Sequence, residues 1–405
     1  MTTEERKTIG NVNVLDLRNA TAETLDTIGR IGKVNILVHS DENAGLISRL
    51  NIGNINCSVA VRSDVELRTV MGHVRINREY FDGVSHPLSL LVMGHVIVEP
   101  GTTAEAIDRG LDSLIVMGHI ACPEPLVGVV QSKVRRVMGH VRPYPATARL
   151  FPGGIELDVP FLESLDDGTE LAVLGEIRLV TDVPDALIAR KIGKLYAYGS
   201  CICREESVKA LRARAVDGPK HVTVIPAGHD LIEDALTLDR ATLATLADRK
   251  LYCTQTVTVD DDVTAADLDG RLTALACEGI VLCPESLEAA LGAICDLLEN
   301  RVVFYRGELL VFDGEDTLRA SRLEYVDGVA TAFVTGDLTI DPDLPAKLIA
   351  ERFDRIHNLG DICCTAEQMG AIEARLGLHD GELIDASLES APHRLDIGNA
   401  NILTL

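Results

Sequence analysis

Val70-Met71-Gly72-His73-Val74, Val92-Met93-Gly94-His95-Val96, Val116-Met117-Gly118-His119-Ile120 and Val137-Met138-Gly139-His140-Val141 are four copies of one phrase, spaced 22, 24 and 21 residues apart. A short string recurring at that period marks a solenoid, in which each coil stacks on the one before it. It also sets four imidazoles and four thioethers at equivalent positions on consecutive coils.

Working outward from the glycine, the same frame recurs without Met or His. It reads aliphatic, Gly, variable, aliphatic, variable, aliphatic or Cys. Ile9-Gly10-Asn11-Val12-Asn13-Val14, Ile31-Gly32-Lys33-Val34-Asn35-Ile36 and Ile52-Gly53-Asn54-Ile55-Asn56-Cys57 fit it. So do Leu174-Gly175-Glu176-Ile177, Leu359-Gly360-Asp361-Ile362 and Ile397-Gly398-Asn399-Ala400-Asn401-Ile402. Alternation after the glycine predicts a strand with one buried face, the glycine pointing inward where a neighbour comes close. Between strands, helices are expected around residues 345–356 (Leu348, Ile349, Phe353, Ile356) and after Pro284 (Leu287, Leu291, Ile294, Leu298). Capping boxes are expected at Thr102/Glu105 and Thr365/Gln368.

The fold expected is an α/β solenoid of stacked strand–turn–helix coils of about 20–24 residues, forming one long parallel sheet. A longer period overlies the coils. Anchors at 175, 255 and 336, and at 199, 279 and 360, repeat at 80–81 residues. The long coil of each such block carries a hairpin-like segment, such as 149–162 or 308–325.

Charge divides the chain. Residues 1–140 hold 14 Lys and Arg against 16 Asp and Glu, leaving 24 against 46 for residues 141–405. We therefore expect an N-terminal solenoid, 1–140, bearing the Met/His column, continuous with an acidic solenoid of 81-residue super-repeats, 141–405. A net charge of −24 argues against nucleic acid and anionic membranes as partners. The opening residues show no apolar run and no stretch approaches a spanning length, so the expected location is cytoplasmic, with reduced cysteines.

In unit length and strand–helix order the repeat resembles leucine-rich-repeat-type β/α solenoids, though it lacks their Asn ladder and their Leu-x-x-Leu-x-Leu string. At the strand level it resembles the bactofilin cytoskeletal solenoids, parallel β-helices that polymerise end to end, which have no intervening helices.

For the column of Met71, His73, Met93, His95, Met117, His119, Met138 and His140, two readings compete. Imidazoles about 5 Å apart on adjacent strands suit a transition metal. A metal needs convergent ligands, however, and a column offers a row. The expectation is a binding face covered by another molecule, with no metal and no cofactor. Cys57, Cys122, Cys203, Cys283 and Cys364, each four residues after an anchor Gly or its equivalent, read as a buried column. P-loop, Gly-x-Ser-x-Gly and His-Glu-x-x-His motifs are absent, so no enzyme is expected.

The two ends complete the reading. Ile9, Val12 and Val14 near the start match Ile397, Ala400 and Ile402 near the end, and neither frame leaves room for a conventional cap. The expected function is a non-enzymatic scaffold that self-associates as a homo-oligomer or filament, through uncapped terminal coils or the Met/His face. The alternative is a recognition solenoid that binds a protein partner or a transition metal on its sheet face.

Overall fold

A computed structural model describes residues 7–217, 219, 221–386 and 399–405, so Ile397 and Gly398 lie outside the described residues. Each Met-Gly-His coil makes two strands rather than one. Strands β5 (Leu67–Met71), β7 (Leu88–Met93), β9 (Leu111–Val116) and β11 (Val134–Val137) end at the methionine or just before it. Strands β6 (Val74–Ile76), β8 (Val96–Val98), β10 (Ile120–Pro123) and β12 (Val141–Tyr144) begin after the histidine. The first set pairs only within itself, as does the second, and every pairing is parallel. Gly-His is therefore a corner between two sheets. The leucine-rich-repeat likeness implies a single strand per coil, and the corner departs from it.

The corner needs glycine because coils touch there. A Cβ on Gly139 would sit 2.6 Å from the carbonyl oxygen of Gly118, one coil back, and Gly53 stands in the same relation to Gly32. The crowding comes along the stack, not from the interior. Inside, Leu88, Leu90, Val92, Leu114 and Val116 face Val74, Val96, Ile120 and Cys122. Ile107 of the short helix Ala104–Gly110 closes the third side. Each such fully buried aliphatic contributes about 1.5–3 kcal/mol.

The stack then breaks. Strands β13 (Arg149–Phe151), β15 (Thr169–Val173), β17 (Ile192–Ala197) and β19 (Ala215–Asp217) form a new sheet. Beside it lie β14 (Ile155–Glu156), β16 (Ile177–Leu179), β18 (Cys201–Arg204) and β20 (Val222–Ile225). Two further sheet pairs follow, opening at Asp230–Ile232 and Glu308–Phe312. Among the described residues four such modules, each with its own core, replace the one long sheet expected. The segments read as hairpins are their first coils. Arg149–Phe151 and Ile155–Glu156 do not pair with each other; each pairs in parallel with the next coil. The 81-residue period is the module length, and it includes the Met/His coils as its first copy.

By contacts the described residues form two compact units, one running to Val224 and including residues 399–405, the other running from Ile225 to residue 386. Packing thus divides the chain at 224/225, whereas charge suggested 140/141. Within the first unit, module one meets module two through Ala121, Tyr144, Ala172 and Tyr196. Within the second, Ile280, Leu282 and Tyr305 meet Phe333.

The first unit opens with a separate sheet. Strands β1 (Lys7–Ile9) and β2 (Val12–Asp16) pair along β3 (Ile28–His39), and β4 (Ile52–Ala60) lies on the far side of β3. On the open side of β2 lies a closing strand, Ala400–Thr404, again parallel. The edge of the first coil is thus covered by the chain's own distant segment. Val12 and Val14, expected on an uncapped coil, are buried.

The helices are short. The box at Thr365/Gln368 forms as expected. At the earlier site the cap is Thr103, whose hydroxyl accepts from Ala106, while Thr102 donates to the Ile76 carbonyl. The helix expected over 345–356 ends at Arg352, and Phe353 and Ile356 belong to a strand. After Pro284 a 3-10 turn leads into Glu288–Gly292, leaving Leu298 98% exposed. In both places coil closure overrides helical periodicity. Among the described residues no helix is long and apolar enough to cross a membrane.

Candidate functional site

At the corners the residue after the glycine has an N–H turned out of the strand ladder. A side chain from the previous coil satisfies it. His95 N–H donates to His73 Nδ1 (3.2 Å), His119 N–H to His95 Nδ1 (2.9 Å) and His140 N–H to His119 Nδ1 (2.9 Å). The residue after each histidine donates in turn to the next histidine's carbonyl, Val74 to His95, Val96 to His119 and Ile120 to His140. The rings stack at 5.0, 5.5 and 5.8 Å, the last pair tilted by 35°. A backbone N–H can only donate, so Nδ1 of His73, His95 and His119 must be a lone pair and the neutral ring carries its proton on Nε2.

Asparagine plays the same part in the first sheet. Lys33 N–H donates to Asn11 Oδ1 (3.0 Å) and Asn11 N–H to Asn399 Oδ1 (2.9 Å). Two residues on, a second asparagine row runs through the whole sheet. Asn56 donates to Asn35 (2.7 Å), Asn35 to Asn13 (2.8 Å) and Asn13 to Asn401 (2.9 Å). The signal was present in the sequence as Gly-x-x-Asn in four frames, but it read only as the polar half of an alternating strand.

The methionines and histidines do not share one face. Met93 and Met117 pack on Val14, Ile36, Val38, Leu91 and Ile115, between the first sheet and module one. Met71 and Met138, at the ends of the row, are 43% and 53% exposed. His73, His95 and His119 instead line a cleft of about 320 Å³, with Val96, Ile97, Ala121, Arg142, Pro152, Leu174 and Tyr198. His221 lies apart from this stack, its carbonyl accepting from Cys201 N–H.

No protein-family model, curated protein or solved structure matches this chain. Its chemistry must be read from its own residues. Among the described residues no three His, Cys, Asp or Glu converge to hold a metal, and the Nδ1 atoms of His73, His95 and His119 are already engaged. Burial pushes the thiols of Cys122 and Cys283 up to about 12, so neither is a thiolate at neutral pH.

Burial, and then the neighbouring His73, hold His95 below its ordinary value of 6.5. Burial and Arg355 do the same to His357, whose Nδ1 accepts from Leu378 N–H (3.0 Å) in the second unit. Depressed histidines bind fewer protons folded than unfolded. The stability they confer is complete above pH 6.5 and is lost as pH falls through the lowered folded values. Protonation also takes the Nδ1 lone pair from the ladder. Urea midpoints measured from pH 7.5 to 5.0 should fall steadily, and His95→Gln should flatten the decline in the first unit.

Proposed function

We propose that this chain is a non-enzymatic structural protein that self-associates head to tail through the two outer edges of its first sheet. One observation carries the reading: the asparagine row ends on an open donor. Each amide donates toward the closing strand, and Asn401, at its end, has no acceptor for Nδ2 among the described residues.

The apolar rows are truncated in the same way. Ala400, Val12, Val34 and Ile55 occupy one register row, and Ile402, Val14, Ile36 and Cys57 another. Val12, Val14, Val34 and Ile36 are buried, whereas Ile55 on β4 is 36% exposed and Ile402 on the closing strand is 47% exposed. The two edges are parallel and carry the same Gly-Asn-x-Asn frame. Seating the closing strand of one copy on β4 of another continues both apolar rows and the amide row. Such a contact uses different surfaces on the two copies, so it propagates instead of closing as a two-fold dimer.

Sedimentation tests this directly. The native chain should form concentration-dependent species beyond the dimer, and Ile402→Lys or Ile55→Lys alone should remain monomeric. Mixed in equal amounts, the two variants should form dimers and stop there, because each retains one intact edge. A native chain that stays monomeric at high concentration, or a mixture that stays monomeric, overturns the proposal.

A further inference from the structure

The cleft beside the imidazole column is lined by a half-buried cation with no anion beside it among the described residues. Arg75, Ile97, Ala121 and Arg142 form one register row across β6, β8, β10 and β12. At one end of this row Arg75 is exposed and paired to Glu99. At the other end Nε and Nη2 of Arg142 are buried and have no hydrogen-bond acceptor among the described residues. The guanidinium lies 5.6 Å from the centre of the Tyr198 ring, and the Tyr198 hydroxyl donates to the Pro143 carbonyl. Burying a donor without an acceptor is costly, so two orphaned donors on one guanidinium are not expected as packing alone.

The surroundings say what would complete it. Nε and Nη2 form one edge of the guanidinium, two parallel donors that match two oxygens of a carboxylate or phosphate once the side chain turns that edge into the cleft. Among the described residues no Asp or Glu lines the cleft. His73 and His95, with Nδ1 held in the ladder, offer Nε2–H as further neutral donors. The remaining wall is apolar, from Val96, Ile97, Ala121, Pro152 and Leu174. A volume of about 320 Å³ lies at the small-molecule end of the range for ligand sites.

We propose that this cleft binds a small molecule carrying a carboxylate or phosphate on an apolar body, with Arg142 gripping the oxyanion and His73 and His95 supporting it. The site is independent of the self-association edges, which lie on the first sheet.

Calorimetry with phenyl phosphate, benzoate and inorganic phosphate on the full chain tests it, with histidine Cε1–H resonances as a second readout. Phenyl phosphate or benzoate should bind saturably, more tightly than inorganic phosphate, and should move the His73 and His95 resonances. Whichever binds more tightly identifies the oxyanion. Arg142→Met should weaken binding by about tenfold or more without lowering the melting temperature, because it removes two buried donors that have no acceptor. Arg142→Lys, which keeps the charge but not the fork, should also weaken it. Absence of saturable binding by all three probes, or unchanged binding in both variants, overturns the proposal.

Discussion

Gly118→Ala should destabilise the first unit by about 3 kcal/mol, the upper part of the range for overpacking. The added Cβ would lie 2.5 Å from His95 Nδ1 and collide with the Gly94 carbonyl oxygen. The first accepts from His119 N–H in the corner ladder, the second is backbone of the preceding corner, and neither is the loose end of a flexible side chain. Relief requires the coils to separate, which breaks the His119 N–H bond to His95 (2.9 Å). Gly128→Ala is the matching control. Gly128 lies inside the helix Val127–Lys133, where an added Cβ would meet nothing within 4 Å, so the same substitution should stabilise by roughly 0.5–1 kcal/mol. Urea denaturation of the two variants should therefore move in opposite directions. Equal effects would show that the corner does not depend on close coil contact.

Removing residues 399–405 should cost the first unit roughly 3–5 kcal/mol and leave the second unchanged. The deletion takes away the ladder bond from Ala400 N–H to Asn11 (2.9 Å) and that from Leu405 N–H to Asp16 (3.0 Å). It also removes the Asn399 and Asn401 acceptors and uncovers the apolar cluster on which Leu403 and Leu405 pack. Hydrogen exchange resolves the two units. Protection should fall across Val12–Asp16 and Ile28–His39, while strands such as Ala330–Val334 keep theirs. Uniform loss across both units would contradict the assignment of this strand to the first sheet.

The coil period, the glycine anchors and the 81-residue block were legible because they are local or strictly periodic. What the glycines do was only partly legible. Phe151-Pro152-Gly153-Gly154-Ile155 reads equally well as a hairpin turn or as a corner, and only the partner strands decide between them. Those partners, Ala172–Val173 and Ile177, lie some 22 residues away. The break between modules was hidden for the same reason, since the frame continues across it. The histidine column was visible as four identical residues, but nothing local reveals that Nδ1 faces a backbone N–H one coil later. Arg142 carried no signal at all. It follows the last Met-Gly-His by two residues, and its isolation depends on Tyr198, Pro152 and Leu174 arriving from module two.

The closing strand has a consequence for how the protein is made. Asn13 and Asn401 are 388 residues apart. On a ribosome adding 5–20 residues per second, the first sheet waits roughly 20 to 80 seconds for its last strand. Until then the nascent chain carries Val12 and Val14 on an open edge, beside every other nascent chain on the same message. The sheet begun first is the last to be completed, and chaperones have that interval in which to shield it.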